Sequence, residues 1–182
     1  RTPTRPRGAT PSSSWGAVFT SEEAVSTARL SMSDRVFVDT NVLVYAHDLD
    51  AGERHVVAAR LVAELWETRA AVISTQVLQE FYVNATRKIP SPLPRSTARE
   101  VVRTYAIWQT EPIGPTDILL ASELEEQHQL SFWDALVVAA ALKGGASRIL
   151  TEDLSDGRTV AGLRIQNPFA GTSPRGGPPR SP

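Results

Sequence analysis

Arg35-Val36-Phe37-Val38-Asp39-Thr40-Asn41-Val42-Leu43-Val44 is the stretch on which the fold turns. Val36, Phe37 and Val38 are consecutive apolar residues, without the alternation of a half-exposed strand. That composition predicts a strand buried on both faces, as in a parallel sheet. The run ends in an acid, a hydroxyl and an amide, and apolar residues then resume over Val42 to Ala46 as the start of a helix. A buried strand leading directly into a helix is the opening of a βαβ unit.

Further along, strand and helix continue to alternate. Glu53 to Thr68 has apolar residues at helical spacing. Ala71 to Ser74 reads as a strand and Thr75 to Lys88 as a helix, ended by Pro90, Pro92 and Pro94. Ser96 to Trp108 is a helix, and Glu111 to Ile113 a short extended piece. Asp117 to Gln129 is a helix with Thr116 as its expected cap. Phe132 to Lys143 is apolar nearly all round, which predicts a buried helix stopped by Gly144-Gly145. Arg148 to Thr151 is a strand, and Leu163 to Ile165 a last edge strand. Right-handed crossovers then give an α/β, three-layer domain with a mostly parallel central sheet flanked by helices.

Composition narrows the chemistry. At 41% hydrophobic and 21% charged residues, the 182-residue chain is not disordered as a whole. The longest apolar run, Ala135 to Leu142, is too short to span a membrane, and no secretory signal opens the chain. The absence of Cys removes thiolate metal sites and fits a reducing cytoplasm. Any metal is therefore expected to be a hard ion held by carboxylates. His47, His55 and His128 fall among polar residues and are expected to be exposed, without a ligand role. Residues 1–31 are Pro-, Thr-, Ser- and Arg-rich with a weakly helical stretch over 15–31, and the chain's single Met is Met32. We expect 1–31 to be a disordered or non-native extension, 32–169 the domain, and 170–182 a disordered Pro/Gly-rich tail. The net charge of −1 divides accordingly: each flank is +2, while residues 32–169 hold 13 bases and 18 acids, or −5. A body that acidic lacks the electrostatic footprint of an ordinary nucleic-acid binder.

In open α/β sheets function gathers beyond the carboxyl ends of the strands. Asp39-Thr40-Asn41 follows the first strand, and Glu152-Asp153 follows Arg148 to Thr151. Glu80 lies one and a half turns into the helix after the second strand, and Asp134 in the first turn of the apolar helix. Carboxylates gathered in one place repel, and must take up protons or bind a cation. Each also has a local reading: Asp39 and Asp153 as turn acids, Glu80 as a solvated helix acid, and Asp134 as half of a capping box with Ser131.

Four segments resemble PIN-domain proteins: Val38-Asp39-Thr40-Asn41-Val42-Leu43-Val44, Ser74 to Tyr82 around Glu80, Ser131-Phe132-Trp133-Asp134-Ala135-Leu136-Val137, and Leu150-Thr151-Glu152-Asp153. The pattern is most similar to VapC-type toxins of bacterial toxin–antitoxin pairs and covers about residues 33–169. The resemblance implies a metal-dependent ribonuclease with Asp39, Glu80, Asp134 and Asp153 as catalytic, metal-binding acids for Mg²⁺, or Mn²⁺ in its place. On that reading Asp39 and Asp134 are the most direct ligands, and Glu80 binds through water or orients the nucleophile. Asp153 completes the site or holds a second ion. Thr40, Asn41 and Thr151 would fix carboxylate rotamers, or else make only local turn and cap bonds. Asn84, Arg87 and Lys88 are candidates for gripping RNA, with Lys143 and Arg148 as similar ones; Arg87 and Lys88 also suit a helix C-terminus by charge alone. The resemblance further implies an antitoxin partner and a homodimer. Apolar faces at Val42 to Tyr45 and Val56 to Leu65 suit such contacts or a core equally.

Other readings are separable. A haloacid-dehalogenase-type phosphatase needs a second acid where Asn41 stands. A dinucleotide-binding fold needs a Gly-rich loop after the first strand, and none follows. A non-catalytic PIN-like interaction module, or a PIN nuclease outside any toxin–antitoxin pair, shares the fold and differs in activity or context.

Overall fold

The computed structural model describes residues 35–172. The expectations for residues 1–31, and for all but the first three residues of the tail, lie outside the described residues. The elements run β1 (Val36–Val38), α1 (Thr40–His47), α2 (Glu53–Thr68), β2 (Ala71–Ser74), α3 (Thr75–Arg87), α4 (Arg95–Tyr105), β3 (Gln109–Glu111), α5 (Pro115–His128), α6 (Phe132–Lys143), β4 (Arg148–Leu150), β5 (Thr159–Val160) and β6 (Leu163–Gln166). A single 3₁₀ turn, Leu49–Ala51, joins α1 to α2.

The sheet order is β3-β2-β1-β4-β6-β5, parallel throughout except for the antiparallel β5–β6 pair. Chain order reverses direction at β1, which lies between β2 and β4. This is the topological switch point at which α/β folds open a crevice. Helices α1 to α4 pack on one another and α5 on α6, and the sheet lies between as the middle layer. The core centres on Phe37, Leu43, Ile73, Phe81, Ile149, Leu163 and Ile165, all fully buried.

Local chemistry sets the helix ends. Ser74 Oγ accepts from Val77 N–H and opens α3, and Ser131 Oγ accepts from Asp134 N–H and opens α6. Helix α5 starts earlier than expected. Its cap is Gly114, not Thr116, because Pro115 suits the first helical position and Asp117 Oδ2 accepts from Gly114 N–H. The extended piece expected at 111–113 is β3 at 109–111, since Pro112 has no N–H to continue the ladder.

Three expectations are corrected. Leu163 to Ile165 is not the sheet edge: β5 pairs outside it through Ala161 and Gly162, whose φ angles of 47° and 88° make a tight two-residue hairpin turn. Alanine is not a residue that advertises such a turn. The apolar helix α6 is not buried all round, because Trp133 is 64% exposed. His47 is not an exposed residue either: it packs edge-on against Phe81 and Tyr105 and its Nε2 meets Tyr105 Oη at 2.9 Å. Of the two proposed apolar contact faces, Val42, Leu43 and Val44 are core, while Val56 is exposed.

Candidate functional site

The register of β1 with β4 builds the site. Val38 stands opposite Leu150, so the residues that follow, Asp39 and Thr151, emerge side by side at the carboxyl edge. Thr151 Oγ1 donates to Asp39 Oδ2 at 2.6 Å, and Thr40 N–H donates to Asp39 Oδ1 at 2.6 Å, which caps α1. Asn41 Nδ2 faces three acceptors: Asp39 Oδ2 at 3.3 Å, Thr151 Oγ1 at 3.2 Å and Asp153 Oδ2 at 3.0 Å. Asp153 is held further by its own N–H, which donates to Thr151 Oγ1. Glu80 arrives from α3, where Thr40 Oγ1 donates to its Oε2 and Gln76 Nε2 to its Oε1, both at 2.9 Å.

Asp39, Glu80 and Asp153 thus line one cavity of about 300 Å³, together with Thr40, Asn41, Tyr45, Asn84 and Lys88. Asp39 is buried, and its carboxyl is pushed up to about 6, first by burial and then by the charges of Asp153 and Glu80, against the lowering bonds from Thr151 and Thr40. The companion acid Glu152 turns elsewhere: Arg54 pairs with it at 2.8 Å, and Tyr45 Oη donates to it. Of this Tyr45–Arg54–Glu152 group Tyr45 lines the cavity, and no sequence pattern marked the three as a unit.

Asp134 does not belong to that lining. Its Oδ2 accepts from Ser131 Oγ at 2.7 Å and its N–H donates to the same oxygen, so the local capping reading of this acid describes its bonds. Lys88 and Asn84 lie in the cavity, whereas Arg87 is exposed outside it. Lys143 is spent on Asp117 and on Pro112 O, and Arg148 reaches Gln166. Asp117, buried and held below the usual carboxylate range by Lys143, is a structural acid that gave no sequence signal beyond its place in a helix start. A larger groove of about 520 Å³ between α3 and α4 is lined by Leu78, Tyr82, Val83 and Val102 and holds no acid, so the chemistry belongs to the smaller, acidic cavity.

The PIN-domain family model matches residues 36–155. The chain belongs to the PIN-domain family. In fold this PIN domain is similar to the toxin VapC20 of Mycobacterium tuberculosis, described as cleaving the sarcin–ricin loop, at 21% identity and a TM-score of 0.50, covering 65% of this chain and 89% of that one. A toxin–antitoxin complex from Klebsiella pneumoniae is similar at 20% identity and 0.54, over 74% and 98% of the two chains. DNA-bound VapBC from Salmonella typhimurium is similar at 14% and 0.52, over 72% and 96%. No curated protein matches the chain in sequence.

The site of this PIN domain suits a hard divalent ion. Its donors are carboxylate, hydroxyl and amide oxygens, Asp39 is pushed toward neutrality first by burial and further by Asp153 and Glu80, and Asn41 Oδ1 is buried without a hydrogen-bond partner. Among the described residues no three acids are already spaced as a finished ligand set. The carboxylates are instead carried by Thr40, Asn41, Gln76 and Thr151.

Proposed function

We propose that this PIN domain is a metal-dependent ribonuclease, a hydrolase of RNA phosphodiester bonds, acting as the toxin of a toxin–antitoxin pair. The observation that carries the reading is the convergence of Asp39 and Asp153, from two strand ends, and Glu80, from helix α3, on one cavity that also contains Lys88 and Asn84. Asp39, Glu80 and Asp153 would hold Mg²⁺, or Mn²⁺, with Asp134 as a fourth acid. Such an ion supplies Lewis acidity, lowers the pKa of a water nucleophile and offsets charge on the scissile phosphate. The chain's own polar residues do the positioning. Thr151 and Asn41 fix the Asp39 carboxylate, while Thr40 and Gln76 fix both oxygens of Glu80. Lys88 supplies a cation to phosphate, and Asn84 a hydrogen-bonding amide.

The toxin role and an antitoxin partner are supported by the likeness in fold to toxin–antitoxin complexes, while a homodimer rests on the resemblance of the sequence motifs alone. No helix among the described residues is long and apolar enough to cross a membrane, which accords with action in the cytoplasm. A non-catalytic module is the second reading, and the tie between Asp134 and Ser131 favours it. Cleavage of RNA by the purified chain decides between them. It is expected to need Mg²⁺, stop in EDTA, and fall below detection in Asp39→Asn and Asp153→Asn. Asp134→Asn should abolish cleavage and Ser131→Ala spare it if Asp134 is a ligand; equal, mild effects would leave Asp134 as a cap. No cleavage together with no Mg²⁺ binding in calorimetry would establish the module. A short open reading frame for a DNA-binding-type protein immediately upstream is expected for a toxin.

A further inference from the structure

The acidic cavity has a neighbour. A second cavity of about 370 Å³ is lined by Gln79, Glu80, Val83, Asn84, Lys88 and Trp133. Glu80, Asn84 and Lys88 belong to both, so the two open side by side along α3. The wall on the α6 side is Trp133, which is 64% exposed and sits in the first turn of that helix, ahead of its buried run Ala135 to Ala141. What sets it apart from the other exposed apolar side chains is its place, in the lining of a cavity that shares Glu80, Asn84 and Lys88 with the acidic one. Its ring is braced edge-on by Phe132 at 5.5 Å, and Phe132 packs on the core. It is therefore a large aromatic face held in place beside a metal-suited acidic cavity.

We propose that Trp133 stacks an unpaired base of the RNA next to the scissile phosphate. This inference rests on the ribonuclease reading of the acidic cavity. Val83 would form the apolar floor, Asn84 would hydrogen-bond the base edge, and Lys88, on the boundary, would meet the phosphate linking that base to the reacting one. Stacking on an aromatic ring accepts any base with an exposed face but demands that it be unpaired. It also lets an acidic body bind RNA without a basic surface. Trp133 is then a positioning residue that selects single-stranded segments or loops.

Binding is measured by fluorescence anisotropy of a short fluorescein-labelled single-stranded RNA on the intact chain, with Ca²⁺ in place of Mg²⁺ to fill an oxygen-lined site without turnover. Trp133→Ala is expected to weaken binding by about 10-fold, as for loss of one stacked base, and Trp133→Phe to retain most of it. In the cleaving protein, Trp133→Ala should raise KM far more than it lowers kcat. Duplex RNA of the same sequence should bind weakly and ignore the substitution. Unlabelled RNA should quench tryptophan emission, and the quench should vanish in Trp133→Phe, a readout that survives even if Trp133→Ala misfolds. If the parent binds RNA and neither substitution alters affinity or quench, the inference is overturned and the ribonuclease reading stands. An altered oligomeric state with unchanged RNA affinity would make Trp133 a protein contact and overturn it likewise. A parent that binds no RNA overturns the ribonuclease reading itself, and this inference with it.

Discussion

At the scale of single residues, Asp39 is a buried acid held against its preferred ionised form. Its carboxyl is raised from 3.8 to about 6 by burial, with Asp153 and Glu80 adding to it. A raised folded pKa means that folding favours the protonated form. The resulting stability is fully present below pH 3.8 and lost as pH rises through about 6. At neutral pH without metal the ionised group then costs about 3 kcal/mol. Asp39→Asn is accordingly expected to raise the melting temperature in EDTA at neutral pH while eliminating cleavage, and calorimetry beside an RNA cleavage assay measures both. The acid itself was legible, because it ends a buried strand. The choice between Glu152 and Asp153 rested on resemblance alone, since the two are adjacent. The structure supplies the physical reason: Arg54, from α2, and Tyr45, from α1, take Glu152 and leave Asp153 facing Asn41.

At the scale of elements, His47 joins three helices. It ends α1 and touches Phe81 of α3 and Tyr105 of α4. Burial, and then the nearby His55, lower its pKa below 6.5. The neutral ring is favoured in the folded state, so the unfolded chain takes up the proton first as pH falls. This contribution is fully present above pH 6.5 and is lost on acidification through the lowered folded value. Against the opposing rise from Asp39, the melting temperature of the parent should lose ground to that of His47→Gln, which keeps a polar partner for Tyr105, from neutral pH to about pH 5. The junction of α6 with the sheet gives a second expectation. A Cβ at Gly144 would run into Val72 Cγ1 and lie 3.3 Å from Glu111 Cγ. Gly144→Ala should cost about 1–3 kcal/mol in urea unfolding with cleavage chemistry unaltered, as overpacking does. Both glycines of the Gly144-Gly145 pair were read as a helix stop. That the first also lets α6 sit against β2 depends on a neighbour 72 positions earlier in number, Val72, which no local pattern reveals.

For the whole molecule, charge distribution governs how substrate is held. Residues 32–169 hold 18 acids against 13 bases, and near the acidic cavity the cation available to a phosphate is Lys88. With one or two phosphates neutralised, RNA affinity should fall with monovalent salt at a log–log slope of about −0.7 to −1.4. A titration from low to moderate KCl at fixed Mg²⁺ measures it; a much steeper slope would mean that cations beyond Lys88 also meet phosphates. If the acidic cavity holds Mg²⁺ as proposed, Mg²⁺ should also raise the melting temperature in proportion to the logarithm of its concentration, because a ligand of the folded site alone shifts folding by mass action. Hydrophobic patterning determined the strands, the helices and the acidic edge of a parallel sheet, because periodicity and strand-end chemistry are local properties. Side-chain direction at a distance is not local. Only the tertiary structure decided that Asp39, Glu80 and Asp153 share a cavity while Asp134 bonds Ser131, that Glu152 is spent on Arg54, and that Trp133 stays in water beside the site. Those outcomes follow from strand register and helix packing, which bring together residues that the sequence keeps far apart.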